Sequence, residues 1–194
     1  MIENAKNLFI ISSVAGGGKS TLIDLLLRKH NDILFSVSYT SREKRSGEKD
    51  GMNYHFVDRG RFESLIEVGF FYEWALVHDN YYGTPKDFII KNLEDGHKII
   101  LDIDVQGARK VKESLPGATA IFILPPSKEV WIERLRKRGT ENKEIQEKRI
   151  RNGLKELELQ DSFDHKIIND DLHKAFVELE NLIYPEVSVK IPEL

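Results

Sequence analysis

The stretch of sequence that decides the fold reads Leu8-Phe9-Ile10-Ile11-Ser12-Ser13-Val14-Ala15-Gly16-Gly17-Gly18-Lys19-Ser20-Thr21. Its leading apolar residues have the length and β-branched content of a buried strand. The leucine-rich run at 22–27 has the spacing of a helix that packs on a sheet. A strand, a glycine-rich turn, Lys-Ser and a helix together form the layout of a phosphate-binding P-loop. The alternative is a turn that merely links a strand to a helix, and the complete Gly-Gly-Gly-Lys-Ser-Thr run argues against it.

The chemistry of this loop predicts a nucleotide-phosphate site. Three consecutive glycines let backbone N–H groups converge on an anion, and the helix N-terminus adds its dipole. We expect Lys19 to reach the β- and γ-phosphates and the Ser20 hydroxyl to coordinate Mg²⁺. The motif usually begins with glycine, where this chain has Ser13. If Ser13 had a left-handed backbone conformation, the strain would cost about 1–2 kcal/mol, whereas an extended conformation of Ser13 would cost little.

Length and composition limit the class of protein. The chain has 194 residues, enough for one α/β domain, and its net charge of −3 argues against general nucleic-acid binding. It has no cysteine, so disulfides, thiolate zinc sites and cysteine nucleophiles are excluded. No apolar run approaches the roughly 18 residues of a membrane span, and the N-terminus lacks the pattern of a signal peptide. We therefore expect a cytoplasmic protein with neither a nucleic-acid nor a membrane partner.

Five apolar runs predict the strands of a buried parallel sheet, at residues 7–12, 34–38, 98–103, 119–124 and 166–168. Helical patterns separate most of these runs, which predicts an α/β fold with helices on both faces of the sheet. Two segments interrupt the alternation. Residues 39–84 are polar and rich in aromatic and turn residues, and residues 126–150 are a highly charged helical stretch with a break at 139–140. We interpret both as insertions on the core, where parts that handle a substrate usually lie.

Three helix starts are marked by capping residues. Thr84 precedes Pro85 and an acidic third position, so we expect it to be the N-cap of a helix that Gly96 ends. Ser127 and Asp171 are the expected N-caps of the helix that enters the charged segment and of the C-terminal helix.

A second signal is an apolar strand, 98–101, that ends in two carboxylates, Asp102 and Asp104. Strand residues two apart point to the same side, so we expect both carboxylates on one side of the sheet edge. In P-loop proteins the carboxylate that ends a neighbouring strand holds the Mg²⁺ shell, although many strands simply stop at a polar turn residue. Beside an intact P-loop, Asp102 is the expected Mg²⁺ ligand and Asp104 is expected to face the second substrate.

Arginines form the third signal. Arg42 and Arg45 lie beyond the second predicted strand, and the charged segment contributes Arg134, Arg138 and Arg149. Planar cations around a phosphoryl group stabilise the charge that develops during its transfer. The alternative is a solvated, salt-bridged helix face, which the spacing alone favours, with contributions from Glu133, Glu141, Glu144 and Glu147.

Several longer motifs, in this order, resemble those of the guanylate kinase family. The most specific are Phe35-Ser-Val-Ser-Tyr-Thr-Ser-Arg42, Glu73-Trp74-Ala75, Tyr81-Tyr-Gly-Thr84, Leu101-Asp-Ile-Asp-Val-Gln-Gly107 and Arg138-Gly-Thr140, and the resemblance extends from the P-loop to Asp171. It implies a P-loop nucleoside monophosphate kinase fold within residues 6–185, with a parallel five-stranded sheet flanked by helices. The core would comprise residues 6–34, 85–125 and 151–185, the GMP-binding region residues 35–84 and a helical lid residues 126–150.

The resemblance also implies a role for each matching residue. For GMP, it implies that the phosphate is held by Arg42, Arg45, Tyr54 and Tyr82, and that the guanine is contacted by Ser38, Glu73 and Thr84 with Asp104 nearby. For ATP, it implies binding by Ser13, Val14, Ala15, Gly16, Gly17, Gly18, Lys19, Ser20 and Thr21, with Arg134 and Asn169 beside the adenine. The catalytic residues would be Lys19, Arg42, Arg138 and Arg149, and Mg²⁺ would be held by Ser20 and Asp102. The family tolerates small residues at position 13, and the complete set favours the catalytic interpretation of the lid arginines.

The chemistry of guanine agrees with this assignment. Its N1–H and 2-amino groups are donors and its O6 is an acceptor. A carboxylate such as Glu73 can therefore accept both donors while hydroxyl groups meet O6. Adenine has an acceptor at N1, which would face Glu73 repulsively. Without the rest of the set, Glu73 would be interpreted as a strand-edge carboxylate beside Trp74.

These inferences predict an enzyme, an ATP:GMP phosphotransferase that uses Mg²⁺ and forms ADP and GDP in purine nucleotide metabolism and GMP recycling. One alternative is a non-catalytic guanylate-kinase-like module that binds a phosphopeptide at the GMP site, which the intact P-loop and the length of 194 residues oppose. Another is a kinase for a different nucleotide or small acceptor, which Ser38, Glu73 and Thr84 oppose.

Overall fold

The structure is a computed structural model that describes residues 5–77, 79–137 and 143–185, and only the backbone at 143–145. In chain order its elements are β1 (Leu8–Ser13), α1 (Lys19–Lys29), β2 (Ile33–Ser36), β3 (Tyr39–Thr40), β4 (His55–Phe56), α2 (Arg59–Glu67), β5 (Phe71–Val77), β6 (Asn80–Pro85), α3 (Lys86–Glu94), β7 (Lys98–Asp102), α4 (Val105–Ser114), β8 (Thr119–Leu124), α5 (Lys128–Lys137), α6 (Lys143–Glu158), β9 (His165–Ile168) and α7 (Leu172–Ile183). They form two compact units. The first comprises the described parts of residues 1–10 and 32–119, and the second those of residues 11–31 and 120–194.

The larger sheet has five parallel strands in the order β2-β7-β1-β8-β9. The first half of β1 belongs to the first unit and its second half to the second unit. The central residues of β1 and β8 are all buried, which explains why both strands are continuous apolar runs in the sequence. All five predicted strands are confirmed, with ends within two residues of those expected. The predicted α/β class, with helices flanking a parallel sheet, is confirmed as well.

The first unit also contains a four-stranded sheet, with the order β4-β3-β6-β5, in the segment that the sequence marked as an insertion. β5 and β6 form an antiparallel hairpin, and Asp79 at its turn has a φ of 68°, the left-handed conformation that tight hairpin turns require. The hairpin register sets Glu73 opposite Thr84. Phe62 on α2 and Phe71 on β5 stack with ring centroids 4.4 Å apart and form the core beside this hairpin. An irregularity of the pairing between Phe71 and Glu73 shifts the register by one residue, so that Phe71 pairs with Pro85 and Glu73 with Thr84.

The second unit joins α1 to α7 through a nearly buried carboxylate. Glu180 on α7 has Oε1 2.7 Å from Lys29 Nζ and 2.5 Å from His30 Nε2 at the end of α1. Burial opposes the ionisation of Glu180, but hydrogen bonds from the two basic side chains outweigh it and hold its pKa below the usual range. The charged group is therefore a structural contact between the two helices.

Two predicted N-caps are confirmed in the second unit. Ser127 Oγ accepts a hydrogen bond from the Val130 N–H at 3.2 Å, at the start of α5. Asp171 Oδ1 accepts one from the Lys174 N–H at 2.9 Å, at the start of α7. Each side chain thus satisfies a donor of the first helical turn, as capping residues do.

The prediction for α3 was right at its end and wrong at its start. Gly96 follows the helix with a φ of 82°, the left-handed conformation that commonly ends a helix. The N-cap, however, is Pro85, and α3 begins at Lys86. Because β6 continues through Thr84, the hydroxyl of Thr84 faces the hairpin and donates to Glu73 instead of capping the helix.

Candidate active site

The P-loop joins β1 to α1 through two left-handed glycines. Gly16 has a φ of 88° and Gly18 a φ of 96°, conformations that only glycine adopts without strain. Gly18 is also the N-cap of α1, so the first turn of the helix begins directly with Lys19, Ser20 and Thr21. The N–H groups and the dipole at a helix N-terminus favour a bound anion. The geometry expected of a phosphate-binding loop is therefore present.

Ser13 fits the first position of the loop without strain. Among the described residues, Asp79 is the only non-glycine with a positive φ, so Ser13 has an ordinary backbone conformation. Its hydroxyl donates to the Ile123 carbonyl at 2.8 Å and so ties the loop to β8. A Cβ on Gly17 would lie 2.0 Å from the same hydroxyl. The side chain at position 13 therefore requires glycine at position 17.

Arg134 and Asn169, which the sequence predicts beside the adenine, lie next to each other in the second unit. The Arg134 guanidinium donates to the Asn169 carbonyl at 3.4 Å. The Asn169 side chain is nearly buried, and its amide donates to the Gly17 carbonyl at 3.0 Å. Asn169 therefore contacts the P-loop itself. Of the two other arginines predicted in this segment, Arg149 is half-buried on α6, and Arg138 lies outside the described residues.

In the first unit, Arg42 is held by a carboxylate that our sequence analysis missed. The Arg42 guanidinium donates to Glu48 through two nitrogens, at 2.8 and 3.1 Å, and Glu48 also accepts from the Arg45 backbone N–H at 2.7 Å. Burial opposes the ionisation of Glu48, but these hydrogen bonds hold its pKa below the usual range. Arginine binds phosphate in the same bidentate way. The turn between Arg45 and Glu48 creates these contacts, and no sequence pattern distinguished Glu48 from the other acidic residues.

Two tyrosines predicted to hold the GMP phosphate lie beside Arg42. The guanidinium carbon is 5.5 Å from the ring centroid of Tyr54, whose ring is 5.8 Å from that of Tyr82. Burial raises the pKa of the Tyr54 phenol far above its ordinary value, and the neighbouring Asp102 carboxylate raises it further. Tyr54 is thus a neutral hydroxyl donor throughout the physiological pH range. The structure brings Arg42, Tyr54 and Tyr82 together, with Arg45 exposed at the adjoining turn.

Glu73, the residue predicted to recognise guanine, is a nearly buried carboxyl group. It is 8% exposed, and its Oε1 accepts a 2.6 Å hydrogen bond from the fully buried Thr84 hydroxyl. Burial is the main cause that raises the pKa of Glu73 to about 7; Asp104 adds to the shift, and Thr84 and Lys110 oppose it. A ligand with two adjacent N–H donors would stabilise the charged form of such a group. Ser38, the third predicted guanine contact, is also nearly buried in this unit.

The two aspartates after the apolar strand have different surroundings. Strand alternation does not relate them, because β7 ends at Asp102 and Asp104 is the N-cap of α4, where it accepts from the Gly107 N–H at 2.8 Å. A Cβ on Gly107 would lie 2.8 Å from Glu73 Oε2, so the start of α4 packs directly against Glu73. Asp104 is therefore near the predicted guanine-binding residue, and Asp102 is near Tyr54.

The predicted Mg²⁺ ligands are the side chains of Ser20 and Asp102. Within residues 5–77, 79–137 and 143–185, no group of three or more histidine, aspartate or glutamate side chains could hold a metal ion. Mg²⁺ in nucleotide kinases needs no such cage, because it keeps several waters and binds phosphates with one or two protein oxygens. The Ser20 hydroxyl and the Asp102 carboxylate are hard oxygen donors of the required kind.

No helix in the described parts of the chain has the length and apolar character required to cross a membrane.

The two units divide the predicted substrate residues between them. The P-loop, Arg134 and Asn169 belong to the second unit, whereas every predicted GMP-binding residue, from Ser38 to Asp104, belongs to the first. The family resemblance predicted these two sets, and each set falls within one unit.

Comparisons with known proteins identify the family of this chain. A family model described as Guanylate kinase matches residues 5–186. The guanylate kinase of Caldanaerobacter subterraneus subsp. tengcongensis is 45% identical over 179 residues, which cover 92% of this chain and 87% of that protein. The guanylate kinase of Pseudoalteromonas translucida is 44% identical over 183 residues, covering 94% and 89%. The crystal structure of guanylate kinase from Anaplasma phagocytophilum has a TM-score of 0.77 and 33% identity, covering 92% of this chain and 85% of that one. With its P-loop and its buried glutamate, this chain belongs to the guanylate kinase family.

Proposed function

We propose that this guanylate kinase binds ATP on the P-loop of the second unit and recognises GMP through the Glu73 and Arg42 groups of the first. Family membership makes the chain an ATP:GMP phosphotransferase, which transfers the γ-phosphoryl group of ATP to GMP and forms ADP and GDP. We propose below which residues perform each part of that reaction. We also propose a cytoplasmic location, where both nucleotides are available.

On the ATP side, the loop at residues 13–21 surrounds the phosphates with backbone N–H groups, and Lys19 supplies a positive charge. Arg134 and Asn169 bind beside the adenine. The left-handed glycines and the helix that begins at Lys19 support this assignment. Mg²⁺, when bound with ATP, would neutralise phosphate charge, and we propose the Ser20 hydroxyl and the Asp102 carboxylate as its protein ligands.

On the GMP side, the phosphate is bound by Arg42, Arg45, Tyr54 and Tyr82. The bidentate contact between Arg42 and Glu48 supports this role, because it shows the Arg42 guanidinium already oriented by an anion. The neutral phenol of Tyr54 adds a donor whose charge does not oppose a phosphate. The Glu48 carboxylate orients the arginine and closes the turn that contains Arg45.

The guanine is recognised by Glu73 with Ser38, Thr84 and Asp104. Glu73 accepts from the N1–H and 2-amino groups, while the Thr84 hydroxyl holds the carboxylate in place. A buried acceptor rejects a base that cannot donate to it, because the acceptor would be left without a partner. The single observation that carries this assignment is the nearly buried Glu73 carboxyl beside Thr84.

The transfer itself needs positioning and charge stabilisation more than acid–base chemistry. The acceptor is already a phosphate oxygen, so no strong general base is required and no covalent enzyme intermediate forms. Lys19, Arg42, Arg138 and Arg149 stabilise the charge on the group in transfer. Residues 126–150 act as a lid that excludes water, since hydrolysis would otherwise compete with transfer. The alternative of a non-catalytic phosphopeptide-binding module is not supported, because the relatives at 44–45% identity are named guanylate kinases.

The test is a comparison of kcat/KM for GMP, IMP and AMP. IMP lacks the 2-amino donor and should be a markedly poorer acceptor than GMP. AMP should be poorer still, because it also loses the N1 donor. Each lost or mispaired buried contact should weaken binding of the base in the transition state by about 1–3 kcal/mol. Glu73→Gln should narrow the difference in kcat/KM between GMP and AMP. If the wild type uses AMP as well as GMP, or if the variant keeps its full preference, Glu73 does not recognise guanine.

A further inference from the structure

We propose that Trp131 is a positioning residue for ATP, whose indole N–H fixes the orientation of a P-loop peptide group. The proposal rests on the ATP-binding role proposed above for this loop. Trp131 lies on α5 and is fully buried. Its indole N–H donates to the carbonyl oxygen of Ala15 at 2.8 Å. Ala15 immediately precedes the first left-handed glycine of the loop, so this contact acts on the loop itself.

The hydrogen bond acts through the planarity of the peptide group. The C=O and N–H of a trans peptide point in opposite directions, so a carbonyl of Ala15 that is held toward α5 turns the N–H of Gly16 the other way. Asn169 does the same two residues later, because it holds the Gly17 carbonyl and so orients the N–H of Gly18. Backbone N–H groups of such loops are the donors that hold phosphates. Two side chains thus orient two alternate donors of the loop.

Glycine makes this external support necessary. A loop of three glycines has access to many backbone conformations, and ordering it on binding would cost conformational entropy. Ser13 and Asn169 restrain the two ends of the loop, through Ile123 and Gly17. Trp131 restrains the peptide between Ala15 and Gly16, and so contributes to holding the loop in one conformation before the nucleotide arrives.

The indole is itself held rigidly by its neighbours. A Cβ on Gly153 of α6 would lie 2.3 Å from the six-membered ring of Trp131, so the ring occupies the space of that absent side chain. Leu135, one turn after Trp131 on α5, packs within 3.4 Å of the position of a Cβ on Gly16. The packing of α5 and α6 therefore determines where the N–H donor lies.

The experiment measures the affinities of ADP and GMP by calorimetry for the wild type and two variants at position 131. Trp131→Phe removes the N–H and part of the ring. Incorporation of benzothienylalanine at position 131 replaces the indole N–H by sulfur and keeps the size and shape of the side chain. This second variant therefore removes the donor while it preserves the packing on which folding depends. The matched control is Phe163→Leu, which shortens a nearly buried aromatic side chain of the same unit that packs edge-to-face against Phe122.

We expect ADP to bind about three- to tenfold more weakly to both variants at position 131, because each variant loses the hydrogen bond that holds the Ala15 carbonyl and the loop conformation. GMP should bind all proteins within twofold of the wild type, and Phe163→Leu should lower the melting temperature without a selective loss of ADP affinity. Unchanged ADP affinity in the benzothienylalanine protein would overturn the proposal, as would an equal loss for ADP and GMP or a selective ADP loss in the control. If the wild type bound neither nucleotide, the proposed function would fail instead.

Discussion

As the proposed acceptor for guanine, Glu73 should make GMP binding depend on pH in the physiological range, since its pKa is about 7 in the folded protein. The guanine donors require the carboxylate and cannot pair with a protonated acid at both positions. With that pKa, about nine tenths of the side chain is ionised at pH 8 and about one tenth at pH 6. The part of the GMP affinity that depends on Glu73 should therefore fall about tenfold between these two pH values.

The assay compares GMP dissociation constants for the wild type and Glu73→Gln at pH 6, 7 and 8 and constant ionic strength. The phosphate of GMP also titrates in this range, but it does so with both proteins, so the ratio of their dissociation constants isolates Glu73. We expect the advantage of the wild type to shrink about tenfold from pH 8 to pH 6. Glu63→Gln, a change at an exposed glutamate of α2, should leave the pH dependence of the wild type unchanged.

The same group sets a pH dependence of folding. In the unfolded chain Glu73 titrates at its ordinary value of 4.5, so the folded state binds more protons between pH 4.5 and about 7. The free energy of unfolding that this group contributes therefore falls as pH rises through that window, by about 3 kcal/mol. Relative to the wild type, Glu73→Gln should gain stability over the same window. A ratio of dissociation constants that does not change with pH, together with parallel stability curves, would refute the reasoning.

Two further changes test other parts of the structure. Lys19→Ala should lower kcat by orders of magnitude while circular dichroism shows an intact fold, because the Lys19 side chain is only partly buried and is not part of the core. Wild-type turnover would remove Lys19 from the proposed catalytic residues. Glu180→Gln should lower the free energy of unfolding by about 1–3 kcal/mol at pH 7, because Lys29 and His30 lose a charged partner. The stability that Glu180 contributes is present above its unfolded pKa and is lost as pH falls through its lower folded pKa. Urea denaturation of the wild type and Glu180→Gln from pH 3 to 7 measures this loss. If the free energy of unfolding of the two proteins fell equally with pH, the prediction would be contradicted.

Local sequence was sufficient for the main elements of the fold. The three inner strands of the parallel sheet, β7, β1 and β8, are buried through their centres and therefore continuous in apolar residues, which makes them visible without any tertiary information. The edge strands β2 and β9 are less buried and were predicted from shorter apolar runs. Ser127 and Asp171 were predictable for a similar reason, since a cap contacts a donor only three residues away. The prediction that Thr84 is an N-cap was wrong because its hydroxyl can either cap a helix or contact a side chain of the neighbouring strand. Only the register of the hairpin decides between these two roles.

For the candidate site, too, some features follow from local sequence and others depend on the tertiary structure. The sequence by itself determined the P-loop and the family, because short motifs of local spacing carry both. Through the family resemblance it also predicted which residues handle each nucleotide. Only the tertiary structure decided that Glu48 orients Arg42, that Glu73 is buried enough to titrate near neutrality, and that Trp131 and Asn169 hold the loop. The last two contacts join residues 116 and 152 positions apart. Contacts over such separations depend on how helices and strands pack, and so do the burial and the electrostatic surroundings that set a pKa.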